Sequence, residues 1–180
     1  MTVSSSHLSR VEALLEELKI PRELVVSRGL RICGEARELV VVQIDDDGRE
    51  HLLIPAAAEA WRLLRDAALA DGVTLRVGSA FRGVDRQAEI IRRKLDRGLP
   101  IESILAVSAP PGYSEHHSGR AVDVVAPGSP PLEMEFEQTE AFRWLVEKAA
   151  LFHYELSFPR GNPYGYDFEP WHWCFRAQEV

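Results

Sequence analysis

The chain has 180 residues, 46% of them hydrophobic and 27% charged, with a formal net charge of −7. That length suits one domain around a single core, and no run approaches the roughly 20 uninterrupted apolar residues that a bilayer span requires. The acidic balance is spread over mixed-sign segments, which argues for solubility and against a nucleic-acid partner, since proteins that bind phosphate backbones present a basic face.

The stretch MTVSSSHLSRVEALLEELKI lacks the basic start and continuous apolar run of a secretory signal. A complete chain is therefore expected in the cytoplasm; a truncated one belongs in the periplasm or outside the cell. Val11, Leu14, Leu15 and Leu18 recur at helical spacing behind a serine cluster able to cap the helix, and Pro21 closes the element. ELVVVQIDDDGREHLLIP gives two β-rich runs around Asp47-Gly48, a strong hairpin signal. The aspartate run lacks the ligand spacing of an EF-hand and reads as an acidic turn.

Residues 57–70 carry apolar residues at helical period, and the alternation from Val73 to Phe81 predicts a strand ending at Ser79-Ala80-Phe81-Arg82. Asp85 to Leu95 reads as a helix in which RRKLDR, from Arg92 to Arg97, forms a solvated face; Ile101 to Val107 reads as a short helix. SAPPGYSEHHSG is a loop punctuated by Pro and Gly. RAVDVV alternates and predicts a strand with Ala121 and Asp123 on one face. Phe142, Leu145, Val146 and Ala149 predict the last long helix; HYELSF and EPWHWCF are aromatic-rich strands on either side of the loop PRGNPYGYD. Helices with mostly hairpin-connected strands indicate an α+β domain with a small antiparallel sheet flanked by helices. Residues 1–50 form its helix-and-hairpin extension, and residues 52–175 its motif-bearing core.

The candidate chemistry gathers in two places. Asp123 lies among Val122, Val124 and Val125, and a strand-borne carboxylate in such company needs a partner. Gly119 permits a turn that brings His116 back beside it, either as a structural hydrogen bond or as part of a metal site. In EPWHW, Pro170 disfavours helix at Glu169. In extended chain Glu169 and His172 point to opposite faces unless the backbone turns, so one serves as ligand and the other as base. His116, Asp123 and His172 make a two-nitrogen, one-oxygen set, the usual composition of a catalytic zinc site with one position open. Glu169 is then the candidate general base. Cys33 and Cys174 leave room for one long-range disulfide and exclude a cysteine-built zinc site.

Ser114, His116, Gly119, Ala121 and Asp123 reproduce entire the pattern Ser-x-His-x-x-Gly-x-Ala-x-Asp, and Glu169, Trp171 and His172 reproduce Glu-x-Trp-His. Upstream, SAFRG is similar to a Ser-x-x-Arg element with Arg82 as its arginine, and Gln87 falls where a glutamine is often kept. On these residues, from about Leu52 to Phe175, the chain resembles the zinc-dependent D-alanyl-D-alanine carboxypeptidases and dipeptidases of the VanY and VanX type, which share the hedgehog domain fold. The resemblance implies one Zn2+ per chain on His116, Asp123 and His172, with Glu169 activating water and passing its proton to the leaving amine. It implies Arg82 as the oxyanion stabiliser, a surface salt bridge being its plain alternative, with Ser114, Gln87 and Trp171 as substrate contacts; for Ser114 capping a loop is the alternative. His117 is expected beside the site or exposed. Cys174 stands where relatives often have arginine and is either a fourth ligand or core. The implied partner is a peptide ending in D-alanine; the oligomeric state stays open. The competing readings are a cytoplasmic D-alanyl-D-alanine dipeptidase or muropeptide-recycling peptidase, a zinc-bearing binding module without catalysis, and a metal-free protein with a coincidental pattern.

Overall fold

The computed structural model describes residues 3–176. Helix α1 (Ser5–Glu17) starts at Ser4, whose Oγ accepts the His7 N–H, and buries Val11, Leu14 and Leu15. Lys19, at φ +54°, ends α1 with its own N–H on Glu16 O and the Ile20 N–H on Leu15 O, and Pro21 then caps a second helix, α2 (Arg22–Ser27), that the sequence pattern does not announce. Strands β1 (Val40–Ile44) and β2 (Glu50–Leu53) form the expected antiparallel hairpin. Gly48 has a φ of +82° at the turn, a conformation glycine reaches without strain.

Helix α3 (Pro55–Ala70) carries proline in its first turn and turns Ala57, Trp61, Leu64 and Ala68 inward. Strand β3 (Arg76–Ser79), helix α4 (Val84–Asp96) and helix α5 (Ile101–Ala106) follow. Strand β4 (Ala121–Val125), helix α6 (Glu140–Lys148), and strands β5 (Tyr154–Leu156) and β6 (His172–Phe175) complete the order. The four strands β3 to β6 pair antiparallel in the order β3-β4-β6-β5. The α+β class is thus as expected. The connections differ: the only tight hairpin among the described strands is β1–β2, and the sheet neighbours β3 and β4 are separated in sequence by α4, α5 and a loop.

Three elements depart from the sequence pattern. β3 begins at Arg76 rather than Val73, because β4 offers partners only from Asp123 to Val125. On α6 the buried face is Ala141, Trp144 and Leu145; Val146 is exposed, so the inward stripe is rotated by about one residue from the expected one. β6 begins at His172, since Pro170 and Trp171 form a turn.

One apolar cluster fills the space between α3, α6 and the sheet, with Leu53, Trp61, Val122, Val124, Tyr154 and Trp173 among its members. A second joins α1 and α2 to α4 and α5 through Val11, Leu14, Leu15, Val25, Ala88, Ile91 and Leu105. Burial of each such leucine or valine stabilises the fold by about 1.5–3 kcal/mol. Helices α1 and α2 are therefore seated on α4 and α5, while the hairpin packs with α3 in the first cluster. Among the described residues no helix is long and apolar enough to cross a membrane.

Candidate metal centre and active site

The antiparallel register of β4 and β6 pairs Asp123 with His172 and Ala121 with Cys174. Side chains of directly paired residues project to the same face, so the carboxylate and the imidazole meet: His172 Nδ1 lies 3.0 Å from Asp123 Oδ1. His116 arrives from a short 3-10 turn, Glu115–Ser118, that ends at Gly119 with φ +66°. A side chain at Gly119 would press within 3.0–3.1 Å of Leu39, Ala36 and Ile54, so the turn closes here only on glycine. His116 Nε2 then stands 3.2 Å from the other carboxylate oxygen, Asp123 Oδ2. One ligand atom each of His116, Asp123 and His172 lies within 4.8 Å of the others, and all three residues are buried.

The outer nitrogens of both rings are already engaged. His116 Nδ1 meets Ala80 O at 2.7 Å; a carbonyl only accepts, so Nδ1 carries the proton and Nε2 presents its lone pair. His172 Nε2 meets Glu115 Oε2 at 3.0 Å, which leaves Nδ1 on the Asp123 side of the ring. With Asp123 between them, the inward set is Nε2, Nδ1 and carboxylate oxygen, a donor set that suits a zinc-class cation. Burial alone would lower the His172 pKa, but hydrogen bonds to Asp123 and Glu115 outweigh it and raise the value to about 10. Burial would likewise raise Asp123, yet the charge and hydrogen bonds of His116 and His172 hold it well below the usual carboxylate range.

Glu115 is the functional candidate that sequence reasoning passed over. Its carboxylate accepts from Ser157 Oγ at 2.5 Å and from Arg176 at 2.9 Å besides meeting His172. The usable signal was chemical: a histidine that ligates through one nitrogen needs an acceptor for the other, and Glu115 is the acid next to the ligand loop's first histidine.

Glu169 reaches the same face because the backbone does turn. His172 N–H donates to Glu169 O at 3.0 Å, and Glu169 Oε2 sits 3.9 Å from His172 Nδ1, so the two side chains share one site instead of opposing each other. Burial lifts the Glu169 carboxyl to about 7, with the nearby Asp123 charge adding to the rise against His172, Arg82 and Lys94.

Arg82 is held by its backbone. Its N–H donates to His116 O at 3.2 Å, and its carbonyl accepts from His117 Nδ1 at 2.5 Å. The guanidinium makes no ion pair among the described residues and its buried Nε has no partner, so the surface salt-bridge alternative is replaced by an inward cation facing Asp123 and Glu169. His117 is fully buried, also accepting the Gly112 N–H at 3.1 Å, so it is a strut beneath Arg82 and not an exposed side chain. Burial lowers its pKa to about 4, in keeping with the neutral ring.

Ser114 Oγ accepts from His116 N–H at 3.3 Å, which caps the turn, and the residue also lines the cleft. Gln87 Nε2 donates to Ala109 O at 2.7 Å while its buried Oε1 lacks a partner. Trp171 lies on the wall. Cys174 is buried next to Ala121 and outside the ligand group, and both cysteines are free, so neither a fourth ligand nor a disulfide forms. Arg82, Gln87, Ser114, His116, Asp123, Glu169, Trp171 and His172 line one cleft of about 590 Å3, together with Leu132, Met134 and Phe168 among others.

Residues 50–178 match the family model described as VanY, D-alanyl-D-alanine carboxypeptidase. The chain belongs to the VanY family. It is 34% identical to the D-alanyl-D-alanine carboxypeptidase of Enterococcus faecalis (strain ATCC 700802 / V583), over 65% of this chain and 46% of that protein. It is 28% identical to the YodJ protein of Bacillus subtilis (strain 168), over 88% of this chain and 62% of that one. The chain thus spans about half to three fifths of the length of these curated relatives. VanY-family and related structures share the fold. VanYB in complex with D-alanine-D-alanine superposes with a TM-score of 0.64 at 28% identity, covering 81% of each chain. The LD-carboxypeptidase LdcB gives 0.70 at 26%, covering 78% of this chain and 69% of that one. A point mutant of the D,D-pentapeptidase VanY in complex with Zn(II) gives 0.63 at 29%, covering 78% and 79%. The hedgehog/DD-peptidase-like architecture expected from the motifs is therefore the observed one.

Proposed function

We propose that this chain is a zinc-dependent carboxypeptidase that removes a terminal D-alanine from peptidoglycan-type peptides. The observation that carries the reading is the convergence on one cleft of the His116, Asp123 and His172 group, the raised Glu169 carboxyl and the unpaired Arg82 guanidinium. A binding module without catalysis has no need of the last two.

His116, Asp123 and His172 would hold one Zn2+ per chain. Bound there, it would supply Lewis acidity. Glu169, poised near neutrality, takes the proton from the attacking water and hands it to the leaving amine nitrogen. Arg82 donates to the carbonyl oxygen as negative charge develops on it, and the buried strut beneath it keeps that donor in place before substrate arrives. Gln87 offers its free Oε1 to a substrate N–H, while Ser114 and Trp171 shape the wall around the chain.

The likeness to LdcB supports a second reading, in which the bond cleaved follows an L-centre, and a dipeptidase acting on D-alanyl-D-alanine is the third. Release of free D-alanine from a muramyl pentapeptide, the corresponding tetrapeptide and D-alanyl-D-alanine separates them. The proposal expects release from the pentapeptide. Release from the tetrapeptide alone replaces it with the L,D reading, release from the dipeptide alone with the dipeptidase, and silence on all three overturns all of them.

A further inference from the structure

Glu169 stands at the foot of a closed loop, residues 159–168, whose two ends are joined where the Glu169 N–H donates to Phe158 O at 3.1 Å. Inside the loop Asn162 is the hub. Its Oδ1 accepts from the Tyr164 and Tyr166 N–H groups, and its Nδ2 donates to Pro159 O and Tyr166 O. Outside, the loop is fastened twice to α5. The Asp167 N–H donates to Ala106 O at 2.9 Å. The second fastening comes from 136 residues earlier in the chain: Arg28, the C-cap of α2, donates from Nε to Tyr164 O at 2.5 Å and from Nη1 to Leu105 O at 2.9 Å. Leu105 and Ala106 end α5, so their carbonyls have no N–H within the helix to meet. One guanidinium thus joins the N-terminal extension, α5 and the loop that carries Glu169.

The same guanidinium begins a stack of rings. Its central carbon lies 4.3 Å from the Tyr166 ring centroid, a cation–π distance. Tyr166 and Phe158 follow at 4.7 Å between centroids, then Phe158 and His172, also at 4.7 Å. Side-chain contact therefore runs unbroken from α2 to a residue of the metal group. Tyr166 is buried and its hydroxyl has no partner among the described residues, so the packing of its ring, and not a hydrogen bond, sets where it lies. Gly165, at φ +67°, lets the backbone close on the guanidinium: a side chain there would come within 3.2 Å of Arg28 Nε.

We propose that Arg28 is a positioning residue for the reaction: by fixing the 159–168 loop from outside, it holds Glu169 and the ring stack on His172 in their working places. The family model matches residues 50–178, so this role falls to the extension that precedes the matched segment. The inference rests on the carboxypeptidase reading above for its effect on rate. Arg28→Met removes the fork of donors and the charge. Arg28→Lys keeps the charge, but a point charge on a flexible stem cannot bridge two carbonyls and lay a flat face on Tyr166 as well. A shift of about 1 Å in a reacting group can cost about a hundredfold, so R28M is expected to lose about tenfold to a hundredfold in kcat while KM moves less.

The test sets R28M and R28K beside L15A, which removes packing from the same extension and leaves the guanidinium in place. On zinc-loaded full chain, release of D-alanine from a muramyl pentapeptide gives kcat and KM, a melting scan gives stability, and amide hydrogen exchange gives the protection of the Asp167 and Glu169 N–H groups. R28M is expected to lose kcat and both protections. L15A is expected to lower the melting temperature at least as far and to keep both, and R28K to recover part of what R28M loses. Wild-type kcat in R28M overturns the proposal, as does an equal loss of kcat and protection in L15A, which would make Arg28 one more contributor to stability. Should R28M not fold, R28K carries the comparison with the same readouts. Exchange needs no turnover, so the two claims separate. If the wild type releases no D-alanine from any substrate while R28M loses protection at Asp167 and Glu169, the catalytic reading fails and the hold of Arg28 on the loop stands. If turnover is normal and R28M leaves rate and protection unchanged, this inference alone fails.

Discussion

On the sheet side of the cleft, Asp123 and His172 face each other across β4 and β6, and with His116 and Glu115 they satisfy one another's nitrogens and oxygens. On the helix side, Arg82 and Gln87 keep buried polar atoms with no partner. The two walls ask for different things. The sheet wall is complete in itself and is pre-shaped for an ion. The helix wall carries unmatched donors, acceptors and charge, which cost stability until something binds. Under the proposed function, substrate recognition falls to the second wall and the chemistry to Glu169, where the two meet.

That division is sharpest at the junction. Glu169→Gln should lower kcat by about 10²–10⁴-fold, the contribution of a positioned general base, with bound zinc unchanged by elemental analysis; wild-type turnover with retained metal would break the assignment. On the sheet wall, chelation should lower the unfolding midpoint. A metal held at a thousandfold excess over Kd stabilises by about 4 kcal/mol, which corresponds to roughly 10 °C for a chain of this size. A calorimetric scan with no shift would contradict a metal bound only by the folded chain.

On the helix wall, Arg82→Ala should cost about 10²–10³-fold in kcat, the cost of losing one oxyanion donor, without moving the zinc affinity. Single-turnover rates and competition with a chromophoric chelator read the two effects apart; a loss of zinc affinity instead would place Arg82 with the sheet wall. Glu115→Gln should do the opposite. It removes the charged acceptor behind His172 and should weaken zinc by about 10–100-fold, while metal-saturated kcat changes less.

The smallest effect is a titration. In metal-free chain the Glu169 carboxyl should titrate near 7, and added zinc should lower that value, as measured by carbon NMR of labelled glutamate. The sign follows from burial disfavouring the anion. A folded pKa above the ordinary 4.5 means that this group makes the metal-free chain less stable as pH rises from about 4.5 through 7. An ordinary value in metal-free chain would remove the desolvated pocket from the account.

The sheet wall was the more legible of the two from sequence. Its ligands lie on a β-branched strand, a glycine-closed turn and a short aromatic strand, where local pattern and motif spacing coincide, and the α1 stripe, the Asp47-Gly48 turn and the α3 and α4 periodicities are equally local. What stayed hidden depends on contacts distant in sequence. Lys94 reads as one more charge on a solvated face until the loop carrying Ser108 packs against it. Glu115 gains its meaning only when β6 brings His172 alongside. His117 is indistinguishable from a surface histidine until the 80–82 segment covers it. The opposition expected between Glu169 and His172 failed because Pro170 and Trp171 form a turn in place of extended chain.

The central claim is that this cleft hydrolyses a peptide end with one zinc ion, and its most direct test is reconstitution. Metal-free chain is titrated with zinc while release of D-alanine from a pentapeptide is followed. The account predicts no release before zinc is added, then a rate rising linearly to a break at about one equivalent, absent in His116→Ala. Full activity in chain shown to contain no metal, or a rate indifferent to added zinc, would contradict it.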